Sequence, residues 1–191
     1  MWTEFKIIKI FTYLFLSGIL ASSLLLYFSF DGRRVNNETI KKGLVLNDGL
    51  IFLQDEVIPF TGIIQDTLDN KMILEFRVVG GLKNGHYLLF NLNGNLVVSG
   101  SMENNKNDGS WEYFYDNGKL ECVGYFKNDE PTGEWIWFYP NGTKKCEGRY
   151  IRGNQEGKWI QYDNMGYPKV IINYCNGDVL STVEITTPKM I

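Results

Sequence analysis

The sequence predicts an all-β repeat array of antiparallel hairpins, preceded by one N-terminal transmembrane or signal helix. Three observations predict it. First, a phrase recurs with a period of 24. Gly109-Ser110-Trp111-Glu112-Tyr113-Phe114-Tyr115-Asp116-Asn117-Gly118 returns as Gly133-Glu134-Trp135-Ile136-Trp137-Phe138-Tyr139-Pro140-Asn141-Gly142. Gly85-His86-Tyr87 through Asn93-Gly94 stands 24 residues earlier, and Gly157-Lys158-Trp159 follows 24 residues later. A fixed period of about 20 to 50 residues marks stacked supersecondary units. Second, 15% aromatic residues and 20 glycines suit short strands joined by tight turns. Third, residues 10–30 contain no charged side chain.

The apolar run comes first in the chain. Its 21 residues make a helix of about 31 Å, the thickness of a bilayer's hydrocarbon core. Lys6 and Lys9 precede it; Asp31, Arg33 and Arg34 follow it. Two readings stand: a signal peptide cleaved near Ala21-Ser22-Ser23, or an uncleaved single-pass anchor. The full-span length favours the anchor over a signal's shorter apolar region, so residues 1–30 are read as a signal or transmembrane anchor. Counting basic residues on each side places the repeats in the cytoplasm. The basic-then-apolar N-terminus has the shape of an export signal, and the repeats are read as extracytoplasmic. Residues 31–43 are polar and aperiodic, a linker.

Strands begin at Leu44. Leu44-Val45-Leu46, Asn47-Asp48-Gly49 and Leu50-Ile51-Phe52-Leu53 read as strand, tight turn, strand. Val57 to Gly62 leads into a worn first repeat. In each full copy, Trp135 and Trp137 alternate with Ile136 and Phe138, so the two sets face opposite sides of a strand. Both sets are apolar, so both faces are expected to be partly covered. Pro140-Asn141-Gly142 then turns the chain, as do Asp116-Asn117-Gly118 and Leu92-Asn93-Gly94. Gly85, Gly94, Gly109, Gly118, Gly133, Gly142 and Gly157 are read together as the turns that define the repeat. A second strand carries a glycine at one fixed position, Gly100, Gly124 and Gly148, the sign of a bulge or a close approach. A polar loop such as residues 127–132 returns the chain to the next Gly-x-Trp. The repeats are assigned to 44–180 and a C-terminal tail to 181–191, with Val179–Ile185 able to close the sheet.

Little in the chain points to catalysis. Cys122 and Cys146 share one repeat position with Val98 and Val170. Two strands apart, their Cα atoms stand about 10 Å from each other, whereas a disulfide needs less than about 7 Å. They read as small apolar residues filling one inward column. His86 occupies the position of Ser110, Glu134 and Lys158, a solvated site at a strand edge. Asp129 and Glu130 have no acidic counterparts in the neighbouring copies, so they are not read as an acid–base pair. The glycines are not gathered before a helix, so no phosphate-cradling loop is present, and no cofactor or metal is expected. A net charge of −3 and a pI near 5.3, without a basic block in the repeats, exclude a nucleic-acid footprint. The open ends of the array can pair edge to edge into dimers.

The aromatic ladder remains. Trp111, Tyr113 and Tyr115 match Trp135, Trp137 and Tyr139 on one face. The simpler reading is that they pack copy against copy. The sharper one is an aromatic platform for a peptide, glycan or membrane surface, which makes these six the candidate partner surface.

The phrase Gly-x-Trp-x-x-(Phe/Tyr)-Tyr-x-Asn-Gly, followed by Gly-x-(Phe/Tyr), resembles the variant MORN repeat of many bacterial proteins. The resemblance covers roughly residues 44–180. It implies an elongated, curved sheet of stacked hairpins and brings no catalytic residue with it. Many such proteins carry an export signal or lipid anchor, and some are labelled antitoxin components of toxin–antitoxin systems. Eukaryotic relatives act in membrane association and scaffolding. This chain departs from the pattern in lacking a lipobox cysteine and the denser glycine spacing of the eukaryotic form. The expectation is a non-enzymatic, membrane-anchored repeat protein that binds an unknown protein partner. An antitoxin or immunity partner of a toxin, and a lipid-surface module, are the alternatives.

Overall fold

The computed structural model describes residues 43–68 and 71–185. The apolar span and the linker up to residue 42 lie outside the described residues, as do residues 186–191. Among the described residues no helix is long and apolar enough to cross a membrane. The chain divides into two compact units, one ending at Thr61 and taking in Val79–Leu82, the other holding Gly62–Val78 and the chain from Lys83 onward.

The first unit is built on a two-stranded antiparallel sheet, β1 (Leu44–Asn47) and β2 (Leu50–Leu53), with Leu44 opposite Leu53. Asp48 and Gly49 join them with φ of 48° and 76°, the type I′ geometry whose twist matches that of the strands. Three backbone bonds then close a ring. The Ile51 N–H donates to the Gly81 carbonyl, Gly81 to Phe60, and Phe60 back to Ile51, all within 2.9 Å. The sequence reading placed β1 and β2 at the head of the array; they form a sheet of their own.

The second unit carries an antiparallel sheet of eleven strands whose spatial order is its chain order. The strands are β3 (Gly62–Leu68), β4 (Met72–Val79), β5 (Leu82–Asn91), β6 (Leu96–Glu103), β7 (Lys106–Phe114) and β8 (Leu120–Lys127). They continue as β9 (Glu130–Phe138), β10 (Lys144–Ile151), β11 (Asn154–Tyr162), β12 (Pro168–Cys175) and β13 (Asp178–Glu184). β13 crosses the boundary drawn at 180, and all of its residues are exposed.

Two kinds of turn alternate, because two kinds of sequence meet the strand ends. The first follows β5, β7, β9 and β11. In Tyr139-Pro140-Asn141-Gly142-Thr143 the Gly142 N–H donates to the Tyr139 carbonyl and the Tyr139 N–H to the Thr143 carbonyl, both at 2.8 Å. With Gly142 at φ 95°, this is a type I turn closed by a glycine bulge. Gly94, Gly118 and Gly142 thus sit in turns as the sequence reading expected.

The second kind is a two-residue turn with both φ positive: Gly80-Gly81, Asn104-Asn105, Asn128-Asp129, Arg152-Gly153 and Asn176-Gly177. The polar loop assigned to residues 127–132 is one of these, and β9 already begins at Glu130. Pro131 misled the reading. It occupies a strand, where its missing N–H matters only if a partner needs it.

That need was removed on the partner's side. The Asn105 side chain accepts from the Lys83 N–H and the Asp129 side chain from the Asn107 N–H, each at 2.7 Å. In return the backbone N–H groups of Asn105 and Asp129 donate to the carbonyls of Lys83 and Asn107. One copy later the strand residue is Pro131 and the turn residue is Gly153, which has no side-chain acceptor. Only the bond from the Gly153 N–H to the Pro131 carbonyl is made, at 3.0 Å.

Gly85, Gly109, Gly133 and Gly157 are not turn residues. They lie inside β5, β7, β9 and β11 with φ of 110°, 105°, 68° and 67°. The last three mark a break in register. Gly100 faces Trp111 but Met102 faces Asn107, so three residues of β7 stand against one of β6. The same break recurs between β8 and β9 and between β10 and β11. A glycine accepts the left-handed backbone that such a bulge demands.

The core lies on one face. In register across the strands run Val98, Tyr113, Cys122, Trp137, Cys146, Gln161 and Val170. This is the inward column expected from the cysteine spacing. The opposite face carries Val123, Ile136, Ile160 and Ile171, all half-buried.

Candidate binding surface

The aromatic side chains of the inner face form one continuous series. Phe76 stacks on Tyr87 at 6.5 Å, and Tyr87 meets Trp111 at 5.4 Å. Phe126 stands edge-on to both Trp111 and Trp135, at 6.0 and 5.1 Å. Trp135 stacks on Trp137; Tyr150 stands edge-on to Trp135 and Trp159; Tyr174 ends the series against Trp159 at 5.9 Å. Offset and edge-on pairs at these separations are favourable beyond the area they bury.

The fixed glycine explains how the tryptophans fit. Trp111, Trp135 and Trp159 lie across Gly100, Gly124 and Gly148 of the strand before, and a Cβ on any of these glycines would stand closer than 3.0 Å to the indole. The Trp111 Nε1–H donates to the Ser101 carbonyl at 3.0 Å and the Trp135 Nε1–H to the Tyr125 carbonyl at 3.2 Å. All three rings are therefore seated on backbone, and Trp111 and Trp135 are also anchored by their one polar atom; the buried Trp159 Nε1 has no hydrogen-bond partner among the described residues. At the joint before these both partners differ: Phe76, in the worn first repeat, stands in place of the glycine and Tyr87, in the next copy, in place of the tryptophan.

This seating corrects the proposed platform. Trp111, Tyr113 and Trp135 are 2%, 4% and 3% exposed and cannot meet a partner face-on. Tyr115, Trp137 and Tyr139 are half-buried. Tyr115 and Tyr139 are used in joining copies, their hydroxyls donating to the Phe138 and Tyr162 carbonyls at 2.6 and 2.8 Å. The sequence reading missed Phe126, Tyr150 and Tyr174, which complete the series. Their signal was present, since each stands two residues after the fixed glycine position, 24 residues apart.

Exposure changes along the face. Leu74, Phe76, Tyr87, Leu89, Trp111 and Tyr113 are buried, while Trp137, Tyr150, Ile172 and Tyr174 are half-buried. Trp135 on β9 and Trp159 on β11 stay buried, so from β9 to β12 half-buried rings alternate with buried ones, whereas the early strands are buried throughout this set.

Burial also sets the chemistry of this face. It pushes the Cys122 thiol well up and the Cys146 thiol to about 12, so neither ionises near neutrality. Burial raises the Tyr113 hydroxyl in the same way. On the other face, Glu147 is held below the usual carboxylate range by hydrogen bonds from Lys144 and Tyr162. His86 places Nε2 3.3 Å from the Glu75 carboxylate, inside a strand and not at an edge. Among the described residues, no group of three or more His, Cys, Asp or Glu side chains is placed to hold a metal.

The hairpins β7–β8 and β9–β10 repeat the same turn, bulge, glycine and tryptophan, and these two hairpins decide the comparison. Residues 107–128 and 131–152 match the MORN repeat variant. The match supports a MORN-repeat protein. Each matched MORN repeat is one hairpin, running from just after one type I′ turn to the next. MORN repeats are binding modules and not catalytic ones. No curated protein matches the chain.

Proposed function

We propose that this chain is a membrane-tethered binding protein, anchored by residues 10–30, whose MORN-type sheet engages a protein partner on the inner face of β9–β12. One observation carries the reading. The aromatic series is buried at Trp111, Trp135 and Trp159 but only half-buried at Trp137, Tyr150 and Tyr174, which leaves ring surface open along β9–β12. Half-exposed aromatic rings held by a rigid sheet are the usual anchors of protein recognition, since they bury large area at small entropic cost. Membrane tethering is supported by the uncharged run of 21 residues near the N-terminus.

The test is crosslinked affinity capture of the tagged full-length protein from its native host, comparing wild type with Trp137→Ala and Tyr174→Ala. Both variants are first checked for an intact sheet by circular dichroism. A dominant partner lost from both folded variants is the expected result. A partner retained by both sinks the assignment of this face. If the captured protein is toxic alone, the antitoxin reading is correct. Recovery of lipid and abundant envelope proteins alone favours the lipid-surface reading.

A further inference from the structure

Four glycine-bulge turns lie in series, and they are wired in two ways. In Asn91-Leu92-Asn93-Gly94-Asn95 the first residue caps the turn: the Asn91 Oδ1 accepts from the N–H groups of Asn93 and Asn95, each at 3.0 Å. Asp163 does the same for Met165 and Tyr167, each at 2.9 Å. In the two middle turns the first residue is Tyr115 or Tyr139, and the third residue takes over. The Asn117 Oδ1 accepts from the Lys119 N–H at 3.1 Å and the Asn141 Oδ1 from the Thr143 N–H at 3.0 Å. Their amide nitrogens then reach the next copy: Asn117 Nδ2 donates to the Pro140 carbonyl at 3.2 Å and Asn141 Nδ2 to the Asn164 carbonyl at 2.7 Å. Asn93 is left over. Its partner in the turn is already taken by Asn91, and its side chain makes no hydrogen bond to another described residue.

All three of these asparagines precede a glycine. That pairing has its own chemistry. The glycine nitrogen attacks the asparagine Cγ and forms a five-membered succinimide. The glycine N–H proton leaves with the side-chain amide as ammonia. Water then opens the ring at either carbonyl and leaves aspartate or isoaspartate, with no other reagent consumed. The glycine N–H is similarly engaged in all three turns, donating at 2.8–2.9 Å to the carbonyl three residues before. What differs is whether the side chain is free to rotate onto it.

We infer that Asn93 is a site of spontaneous succinimide formation in the folded protein, and that Asn117 and Asn141 are shielded by the same side-chain bonds that hold their copies together. A hydrogen bond of ordinary net strength slows the reaction about fivefold. Asn117 and Asn141, with two or more such bonds each, are held back by at least that factor.

The experiment is incubation of the full-length protein in detergent at 37 °C and mildly alkaline pH, followed by trypsin digestion and mass spectrometry. Cleavage after Lys83, Lys106, Lys119, Lys127 and Lys144 puts the three asparagines on separate peptides. Fragmentation separates Asn93 from Asn84, which also precedes a glycine but lies within β5. Exchange of the amide NH2 for OH is scored at each site with time. The expected result is conversion of Asn93 about fivefold or more faster than Asn117 and Asn141, with the three rates converging in urea. Equal rates in the folded protein overturn the inference. So does a difference that persists in urea, since local sequence and not the turn wiring would then be its cause.

Discussion

At the scale of single residues, the seat under each tryptophan is the most demanding feature. Gly124→Ala places a methyl group inside the Trp135 indole, which is fixed to the Tyr125 carbonyl and boxed in by Phe126 and Tyr150. Overpacking of that kind costs about 3 kcal/mol, since the ring has nowhere to move. Gly118→Ala is the control. It has open space around its Cβ but a φ of 78°, and costs about 1 kcal/mol from backbone strain alone. Urea unfolding of the two variants measures the difference; equal losses would mean that the ring is not seated as described. The glycine was legible in the sequence as a close approach. What approached it was not, because a period of 24 aligns like with like and hides that Trp135 crosses to the previous strand.

At the scale of the hairpin, the turns join copies through side chains. Tyr139→Phe removes one hydroxyl whose acceptor is the Tyr162 backbone carbonyl 23 residues on. The loss is about 1 kcal/mol, an ordinary hydrogen bond, and it appears as a lower urea midpoint with an unchanged slope. The first turn has Asn91 at that position and lacks the bond. Hairpin existence was readable from Asn-Gly pairs and aromatic alternation. The return connections were not. Asn128-Asp129 and Arg152-Gly153 lack the usual Asn-Gly signature of a type I′ turn, and Pro131 has the look of a loop residue. Strand glycines such as Gly133 look like turn residues because sequence records the residue and not the bulge that calls for it.

At the scale of the whole chain, tyrosine ionisation ties stability to alkaline pH. Burial pushes Tyr87 to about 12, and Tyr115 and Tyr162 reach about 12 for the same leading reason, with the Glu147 carboxylate adding to the rise at Tyr162. Unfolded tyrosine ionises near pH 10. A raised acid keeps its proton in the folded state while the unfolded chain gives it up. Its contribution is therefore complete below about pH 10 and is lost as pH climbs from about 10 to about 12. Phenolate absorbance should rise late and together with the loss of the sheet's circular dichroism. If all 11 tyrosines titrate near pH 10 with the sheet intact, the described burial is wrong. The period made the array legible at this scale, while the separate sheet formed by β1 and β2 was not, since its hairpin pattern is indistinguishable from a worn copy.

The joint between Pro131 and Gly153 has a consequence for how such an array changes in evolution. The donor is absent on one side and the acceptor on the other, and the proline is the demanding half, since the next joint sets Gly177 against Gln155, which carries an N–H. Moving the Asn128-Asp129 turn opposite Pro131 would aim a carboxylate at a ring nitrogen with no hydrogen to give, and leave it unsatisfied. Copies that match in outline are thus keyed at their ends. The hairpin that carries Pro131 can be duplicated or moved without loss only opposite a turn that, like Arg152-Gly153 or Asn176-Gly177, offers no acceptor there.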